Sequence, residues 1–256
     1  MELHLQQKFK DFAFRLAEES AGVILQYYRK EIFISTKSDE SPITIADKMA
    51  EEKMRELIIK QFPDHGILGE EFGSYKPDAE YQWILDPIDG TRSFICGTPL
   101  FGTLIALLQN GKPILGAMNF PVLGQFFLGD NSQTLLNNKL VQMRKIRHLN
   151  EAVLLTTDIQ NISKYQDITR FQNLVEQVQL FRTWGDCFGY SLLAAGFADI
   201  MVDPVMSAWD IMALIPIIKG AGGEITDYQG KEPSKGNSII AASPAIHQKV
   251  IELLNT

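Results

Sequence analysis

Two aspartates, Asp86 and Asp89, stand three residues apart in the segment WILDPIDGT, residues 83–91. Pro87 fixes its own φ, and Gly90 permits backbone conformations that other residues resist, so the turn can point both carboxylates in the same direction. Two carboxylates held together repel each other, and one takes up a proton unless a cation lies between them. A hard divalent cation such as Mg²⁺ prefers oxygen ligands and resolves this conflict. The spacing therefore indicates a metal site.

The same segment has a simpler interpretation. Asp-Pro-x-Asp-Gly is also typical of a turn that caps a short helix, here at residues 91–95. The start of that helix offers a further possibility, because the N–H groups of Gly90 and Thr91 and the helix dipole could hold an anion such as phosphate. Asp89, Gly90 and Thr91 are therefore the candidate phosphate-binding residues. A metal pair beside an anion site predicts phosphoryl-transfer chemistry.

Two distant segments could supply further ligands. Glu70 lies in GEEFG, residues 69–73, at the end of a predicted strand, and Asp210 follows Trp209 at the start of a predicted helix. Glu70 could equally be a loop carboxylate, and Asp210 could be an ordinary N-cap of its helix. Asparagine caps helices as well as aspartate does. The capping hypothesis therefore predicts that Asp210→Asn is harmless, whereas the metal hypothesis predicts loss of function.

The hydrophobic pattern of the first half predicts the helices and strands that position these carboxylates. Residues 4–30 and the stretch from Thr44 to Asp64 predict two helices. Strands are predicted at 66–69 and at 83–85, the second ending abruptly at Asp86-Pro87. Two apolar strands flank Asn110-Gly111, the strongest short signal for a β-hairpin. The strands predicted after residue 99 are 100–108, 113–120, 126–128 and 140–143.

The second half alternates predicted strands with predicted helices, which indicates layered α/β packing. The predicted strands are 153–156, 180–183, 199–202 and two more after Gly223, and the predicted helices are 165–178, 190–195, 210–221 and 244–254. We expect a soft boundary near residue 148 within one compact body. Residues 1–148 would form an N-terminal α+β part that carries most of the metal ligands. Residues 149–256 would form a C-terminal α/β part that carries Asp210 and the substrate wall.

Composition excludes several classes of function. The 256 residues are 45% hydrophobic and 21% charged, as in ordinary globular proteins. A net charge of −7 argues against a nucleic-acid partner, and the short basic cluster 144–148 is interpreted as a solvated loop. Cys96 and Cys187 are too few for a disulfide framework and lack zinc-site spacing. Residues 1–6 do not begin a signal peptide, and no stretch reaches about 18 apolar residues, so we expect a cytoplasmic protein without membrane contact.

Three motifs resemble, in order and spacing, the signature of the inositol monophosphatase superfamily. They are Gly69-Glu70-Glu71, then Asp86-Pro87-Ile88-Asp89-Gly90-Thr91, then Trp209-Asp210 with Ala221-Gly222-Gly223. The match extends from the first helix to residue 241. The resemblance implies an α/β (α+β) fold, a five-layered αβαβα sandwich that is usually a homodimer. It also implies a Mg²⁺-dependent phosphomonoesterase that acts on small phosphate esters.

The resemblance assigns the metal ligands residue by residue. Glu70, Asp86 and the Ile88 carbonyl would hold one Mg²⁺. Asp86, Asp89 and Asp210 would hold a second, so that Asp86 bridges the pair. A more loosely held third ion would depend on Glu70 and on water. The expected cofactor is therefore two to three Mg²⁺ ions per site, and the reaction would use a water activated by the metal.

The catalytic residues implied by the resemblance are Thr91, Asp47 and Glu70. Thr91 resembles the family threonine that orients the attacking water, paired with Asp47. A threonine hydroxyl is too weak an acid to act alone, so a carboxylate partner is chemically sensible. Thr44-x-x-Asp47 also fits a capping box at the start of the second helix. The family match favours the pairing of Asp47 with Thr91.

Two segments, 90–107 and 183–190, resemble the histidinol-phosphatase branch of the superfamily. Histidinol phosphate carries an ammonium and an imidazole, so an acidic group beyond the phosphate is an advantage, and Asp186 and Asp203 could supply it. Asp186 could instead cap the helix from Gly189, and Asp203 could simply end a strand. The candidate substrate-binding residues are Gly185, Asp186, Cys187, Asp203 and Asp210.

The leading hypothesis is hydrolysis of L-histidinol phosphate to L-histidinol, a step of histidine biosynthesis. One departure stands against it, because Ser207-Ala208 precedes Trp209 where the histidinol branch would have Asn/Ser-Pro. The alternative substrates are inositol 1-phosphate and a broad range of sugar phosphates. An alternative outside catalysis is a regulatory protein that binds the transcription machinery.

Overall fold

Eight helices and fifteen strands form within the residues that the computed structural model describes, 3–30, 34–36 and 42–256. Met1 and Glu2, which belong to the segment 1–6 that was predicted not to begin a signal peptide, lie outside these residues. The helices are α1 Leu3–Ile24, α2 Ile45–Gln61, α3 Thr91–Ile95, α4 Ile159–Tyr165, α5 Ile168–Gln177, α6 Asp186–Ala194, α7 Ala208–Gly220 and α8 Pro244–Asn255. In the described part of the chain, no helix has the length and apolar character needed to cross a bilayer.

The strands form one large sheet, one smaller sheet and a short pair. The strands are β1 Ile34–Thr36, β2 Pro42–Thr44, β3 Gly66–Gly69, β4 Gly73–Tyr75, β5 Tyr81–Asp89, β6 Gly102–Gln109, β7 Lys112–Phe120, β8 Gln125–Gly129, β9 Thr134–Leu136, β10 Lys139–Val141, β11 Val153–Leu155, β12 Leu180–Arg182, β13 Ile200–Asp203, β14 Glu224–Thr226 and β15 Ile239–Ala242. The large sheet has the order β10-β9-β8-β7-β6-β5-β3-β4, and the smaller sheet has the order β12-β11-β13-β15-β14.

The large sheet is antiparallel except where β3 and β5 run parallel. The turn between β6 and β7 contains Asn110 at φ 50° and Gly111 at φ 75°, which confirms the predicted hairpin. In the smaller sheet, β11 is parallel to both of its neighbours, and the remaining pairs are antiparallel.

Three packed cores confirm the five-layered αβαβα arrangement. Side chains of α1 and α2 pack on one face of the large sheet against Ile105 and Leu107 of β6. The intervening residues Leu104 and Ala106 face the opposite way, as strand geometry requires, and pack with α6, α7 and the smaller sheet. Helices α4, α5 and α8 cover the far face of the smaller sheet. The core between the sheets combines both halves of the chain, and the predicted division near residue 148 stays a prediction.

The predicted end of a strand at Asp86 is wrong, because β5 continues to Asp89. Asp86 pairs with Leu104 and Asp89 pairs with Gly102, so β5 has one more residue than β6 across this step. This is a β-bulge. Residues three apart in a regular strand point to opposite faces, and the extra residue removes that opposition. The bulge therefore allows both aspartates to reach one site.

Three predicted helix boundaries are also wrong, and one of them is the start of the helix predicted at 190–195, because α6 begins at Asp186. The helix predicted at 165–178 corresponds to α5, which begins only at Ile168, and α4, which precedes it, was not predicted. Asp158 and Asp167 are the N-caps of these two helices. The Asp158 carboxylate accepts from the Gln160 N–H at 2.8 Å, and the Asp167 carboxylate accepts from the Thr169 N–H at 2.8 Å. Helix α1 ends at Ile24 rather than at residue 30, and the turn that follows is anchored where the Tyr28 hydroxyl donates to the Gly97 carbonyl at 2.8 Å.

Candidate metal and substrate site

The bulge at the end of β5 places two carboxylates at the edge of a cleft. The Ile88 N–H donates to Asp86 Oδ1 at 3.0 Å, which is the local turn expected of an aspartate before a bend. The Ile88 carbonyl accepts from Thr91 Oγ1 at 3.1 Å. The turn interpretation and the metal interpretation of this segment are therefore compatible, because local bonds involve only one oxygen of Asp86.

Glu70 reaches the same place through the pairing of β3 with β5. The two strands run parallel, so their carboxyl ends lie side by side, and Glu70 follows β3 directly. Its N–H donates to the Leu85 carbonyl at 3.2 Å. Glu70 raises the pKa of Asp86, so the two carboxylates lie close together. The sheet thus brings together two carboxylates that are far apart in sequence.

Asp210 enters the site from α7. The N-cap of this helix is Ser207, so the interpretation of Asp210 as an ordinary N-cap is wrong. The Ser207 N–H donates to Asp210 Oδ2 at 2.7 Å, which fixes the carboxylate in the first turn. One carboxylate oxygen from each of Asp86, Asp89 and Asp210 lies within 4.8 Å of the others. A divalent cation fits among oxygen ligands at this spacing.

The electrostatics of these aspartates agree with a cation site. Burial raises the pKa of Asp86 well above its usual range, and the charges of Glu70, Asp89 and Asp210 raise it further. Burial and the neighbouring charges also raise the pKa of Asp89. For Asp210, burial raises the pKa to about 7 although hydrogen bonds oppose the change. Like charges buried together are unfavourable, and an all-oxygen donor set of this kind fits Mg²⁺.

Asp47 lies at the start of α2 and forms the predicted capping box. Its Oδ2 accepts from the Thr44 N–H at 2.9 Å and from Thr44 Oγ1 at 2.5 Å. Burial raises the pKa of Asp47 to about 6, and the Glu70 charge contributes in the same direction. Asp47 therefore lies beside the carboxylate cluster, while Thr91 contacts the Ile88 carbonyl. The pairing of Thr91 with Asp47 stays a prediction.

Gly90 occupies a position where a side chain would be strained. Its φ is 88°, which L-residues rarely adopt. A Cβ there would lie 3.1 Å from Asp186 Oδ2 and 3.1 Å from the Leu100 carbonyl. Gly90 thus allows the turn that carries Asp86 and Asp89 to approach the start of α6 closely. Phosphate binding by Asp89, Gly90 and Thr91 stays a prediction.

Asp186 is the first residue of α6, and Gly185 is the N-cap. The alternative in which Asp186 caps a helix from Gly189 is therefore wrong. The Asp186 N–H donates to Thr157 Oγ1 at 2.9 Å, and its backbone has φ 50°. A Cβ on Gly185 would lie 2.2 Å from Thr157 Cα, so no larger residue fits between these segments. Burial raises the pKa of Asp186 to about 6, and Asp203 adds to the effect while Arg92 opposes it.

Asp203 ends β13 and is committed to internal hydrogen bonds. Its Oδ1 accepts from the Thr157 N–H at 3.0 Å, and its Oδ2 accepts from the Tyr190 hydroxyl at 2.8 Å. Cys187 has a buried side chain that does not line the cleft, and its N–H donates to Asp89 Oδ2. Cys187 therefore contacts a predicted metal ligand through its backbone. Direct substrate contact by either residue stays a prediction.

A cleft of about 440 Å³ joins the carboxylate cluster to the start of α6. It is lined by Asp89, Gly90 and Thr91 on one side and by Gly185, Asp186, Asp203 and Asp210 on the other. Asp158 and Arg92 also line it and form an exposed ion pair at 3.4 Å. Five carboxylates and one guanidinium line this cleft, so it is acidic beyond the cluster of Asp86, Asp89 and Asp210.

Glu51 and Arg55 of α2 support the site, although neither is among the residues predicted from the sequence. The fully buried Glu51 carboxylate accepts from the N–H groups of Glu71 at 2.7 Å and Phe72 at 3.2 Å. Arg55 Nε donates to Glu51 at 2.7 Å. The signal in the sequence is a Glu/Arg pair four residues apart beside the apolar stripe of a helix.

Comparison with known proteins places this geometry in a family. A profile of the inositol monophosphatase family matches residues 5–256. The chain is 42% identical to the chloroplastic bifunctional phosphatase IMPL2 of Arabidopsis thaliana, over 93% of this chain and 72% of the relative. It is 38% identical to a histidinol-phosphatase of Chlorobaculum parvum, over 93% of each. A solved structure of an inositol monophosphatase from Zymomonas mobilis superposes with a TM-score of 0.88 at 34% identity, covering 98% of both chains. These relatives are phosphatases, and the chain is a phosphoric monoester hydrolase that belongs to the inositol monophosphatase family.

Proposed function

We propose that the chain hydrolyses L-histidinol phosphate to L-histidinol in a Mg²⁺-dependent reaction. The observation that carries this proposal is the buried carboxylate of Asp186 in the cleft beside the Asp86, Asp89 and Asp210 cluster. The substrate has a phosphate at one end and two basic nitrogen groups at the other. An acidic cleft next to a metal cluster complements both ends.

The proposed metal ligands are the carboxylates of Glu70, Asp86, Asp89 and Asp210 together with the Ile88 carbonyl. Bound Mg²⁺ would neutralise the repulsion among these groups, bind phosphate oxygens and stabilise the charge that develops during phosphoryl transfer. The protein fixes the donors before any ligand arrives, because Ser207 holds Asp210, and the Cys187 N–H holds Asp89. Preorganised donors avoid reorganisation during the reaction.

The proposed proton path uses Thr91 and Asp47. Thr91 Oγ1 orients the attacking water, and the carboxylate of Asp47 takes up the proton. With a pKa of about 6, Asp47 is mostly ionised at neutral pH. Its pKa is also close enough to pH 7 for the carboxylate to accept a proton during the reaction. The Thr44 hydroxyl and N–H hold Asp47 in place through the capping box.

Asp186 is the proposed selector of a cationic leaving group. Burial raises the pKa of Asp186 and so favours its protonated form. A substrate ammonium or imidazolium beside Asp186 would have the opposite effect and favour the ionised carboxylate. Asp203 is the less available of the two candidates, because Thr157 and Tyr190 already occupy its oxygens. The similarity to a histidinol-phosphatase at 38% identity supports the same choice.

The test compares kcat/KM for L-histidinol phosphate and inositol 1-phosphate by phosphate release, with Mg²⁺ present. We expect the wild type to prefer the cationic ester. Asp186→Asn should lower kcat/KM for L-histidinol phosphate by about 10- to 100-fold, because it removes a charge-assisted hydrogen bond of roughly 1.5–3 kcal/mol. The same variant should change kcat/KM for inositol 1-phosphate by less than about threefold, since hydroxyl groups need no opposite charge.

Asp78→Asn, which changes an exposed aspartate outside the cleft, is the matched control and should behave as wild type. Equal or faster turnover of inositol 1-phosphate by the wild type would contradict the proposed substrate and favour the inositol or sugar-phosphate alternative. Homodimer formation and a cytoplasmic location also belong to the proposal, and sedimentation of the purified chain tests the first.

A further inference from the structure

A second cleft, of about 550 Å³, lies between the segment that follows β10, the end of α7 and the start of α8. Four basic residues line it, namely Arg144, Lys145, Arg147 and Lys219, and no acidic residue does. The whole chain carries a net charge of −7, so this local excess of positive charge stands out. The sequence alone indicated a solvated loop at 144–148, and Lys219 joins that cluster only in the folded chain.

Within the described part of the chain, the side chains of three of these four cations have no carboxylate partner, although the Arg147 backbone N–H donates to Glu151 Oε2 at 3.4 Å. Arg144 forms a paired contact with Asp199, with Nε to Oδ1 at 3.0 Å. Lys145, Arg147 and Lys219 form no ion pair with any residue that the structure describes. Like charges that face one cavity repel each other, and an anion in the cavity reverses that effect.

An unused hydroxyl points to the same ligand. Ser243 is the N-cap of α8 and lines the cleft, and only 2% of the residue is exposed. A serine at an N-cap usually accepts from a helix N–H, but its hydroxyl makes no such bond here and contacts no hydrogen-bonding partner in the described chain. It is therefore available to donate to a ligand. The first turn of this twelve-residue helix adds the N–H of Ala245 and the positive end of the helix dipole.

Hydrogen bonds tie the three walls of the cleft together. The Ser243 N–H donates to the Asp199 carbonyl at 3.2 Å, and the Asp199 side chain holds Arg144. The Met143 N–H donates to the Ala221 carbonyl at 2.9 Å, just beyond the end of α7. This bond also satisfies a carbonyl that would otherwise oppose an anion. These bonds fix the backbone of the three walls and the Arg144 side chain before a ligand binds.

We propose that this cleft binds a small anion of the polyphosphate type, either free or carried on an organic body. Three cations, the Ser243 hydroxyl and the N-terminus of α8 supply donors, and phosphate oxygens are their usual partners. The C-terminal end of α7 also lines the cleft, and its negative dipole end stabilises the cations beside it rather than the anion. Met143, Ile146 and Pro244 form an apolar wall that suits the organic part of a larger ligand. The site is distinct from the carboxylate cluster, because Asp210 and Lys219 are nine positions apart, which is about 14 Å along α7. The proposal does not depend on the proposed substrate.

The test is isothermal titration of the full chain with pyrophosphate and, separately, with ADP. The buffer is freed of metal on a chelating resin, because a soluble chelator is itself a polyanion, and it has low ionic strength. We expect saturable binding of at least one probe. Lys219→Gln and Arg147→Gln should each weaken binding by about fivefold or more, Ser243→Ala by a smaller factor, and added salt should weaken it further. Pyrophosphate tests the free anion, and ADP tests the anion on an organic body.

Two controls locate the binding. Lys112→Gln removes an exposed cation outside the cleft and should leave the Kd within about twofold of wild type. Asp210→Asn should also leave the Kd within about twofold of wild type. Without metal the carboxylate cluster repels anions, so it is not where the probes bind. Absence of saturable binding for both probes would overturn the proposal. An unchanged Kd in the Lys219→Gln/Arg147→Gln double variant would also overturn it, provided that circular dichroism shows the variant to be folded. The proposal would likewise fail if Asp210→Asn changed the Kd while the substitutions in the cleft did not.

Discussion

The buried carboxylate of Glu51 in α2 accepts a hydrogen bond from the backbone N–H of Glu71 at 2.7 Å. Glu71 follows Glu70, so this bond fixes the loop from which a proposed metal ligand projects. A Cβ on Gly69 would lie 1.9 Å from Glu51 Oε1, so the loop also packs directly against this carboxylate. Glu51 thereby connects a helix that is remote in sequence to the geometry of the metal cluster.

Glu51→Gln should weaken Mg²⁺ binding more than it lowers the turnover of the enzyme once Mg²⁺ is bound. The glutamine keeps the volume but has one acceptor oxygen, whereas Glu51 accepts from Glu71 and Phe72 through different oxygens. Leaving one of these partly buried N–H groups unsatisfied costs about 1 kcal/mol, the lower end of the penalty for a buried group. We expect the Mg²⁺ concentration for half-maximal turnover to rise about tenfold, with kcat at saturating Mg²⁺ within about threefold of wild type. Glu52→Gln, an exposed neighbour, is the control, and an equal Mg²⁺ requirement in both variants would show that Glu51 has no positioning role.

Asp210→Asn should separate metal binding from folding. Asparagine can still accept from the Ser207 N–H, and it removes one charge from a cluster in which neighbouring carboxylates raise the pKa of Asp86. Turnover should fall by at least about 100-fold, whereas the metal-free free energy of unfolding should stay equal or increase. Thermal denaturation with and without Mg²⁺ measures both effects. The wild type should gain about 2.7 kcal/mol at a Mg²⁺ concentration of 100 Kd, and the variant should gain far less. Full activity in Asp210→Asn would remove this residue from the ligand set.

Gly185→Ala should displace the substrate wall. The new Cβ would lie 2.2 Å from Thr157 Cα, which is backbone and cannot move as a side chain would. We expect a loss of about 1–3 kcal/mol in stability from overpacking. Turnover should also fall by about tenfold, because Asp186 and the Cys187 N–H that holds Asp89 follow directly. Gly22→Ala in α1 is the contrasting control, since nothing lies within 4 Å of the added Cβ, and it should gain about 0.5–1 kcal/mol. A Gly185→Ala protein with wild-type melting temperature and activity would contradict this account.

His65 should make stability depend on pH between about 4 and 6.5. Its Nδ1 accepts from Trp83 Nε1 at 3.1 Å, and protonation would place two donors against each other. Burial lowers the pKa of His65 to about 4, and Lys8 contributes, so the folded chain binds this proton less readily than the unfolded chain. The contribution to stability is therefore complete above about pH 6.5 and is lost as the pH falls towards 4.

His65→Gln keeps an acceptor for Trp83 and cannot titrate. Denaturant unfolding at several pH values should show a flatter dependence for this variant than for the wild type, so that the two free energies converge as the pH falls. His148→Gln, at an exposed histidine, should retain the wild-type slope. Parallel curves for wild type and His65→Gln would contradict the assigned pKa direction.

The sequence alone determined the features that depend on local chemistry. The Asn110-Gly111 hairpin, the capping box of Thr44 with Asp47 and the short helix after Gly90 all follow from residues within a few positions of each other. The carboxylate motifs were also visible, and their order along the chain indicated the family. In these segments the preferred local backbone and the final fold agree, so no distant contact was needed to predict them.

Only the tertiary structure decided which carboxylates are available and what holds them. The parallel pairing of β3 with β5 brings Glu70 to Asp86, and the bulge in β5 brings Asp86 and Asp89 into one cluster. The same packing commits Asp203 to Tyr190 and gives Glu51 its role. Strand register and long-range hydrogen bonds depend on the whole hydrophobic core, so the residues near each aspartate in sequence do not determine them.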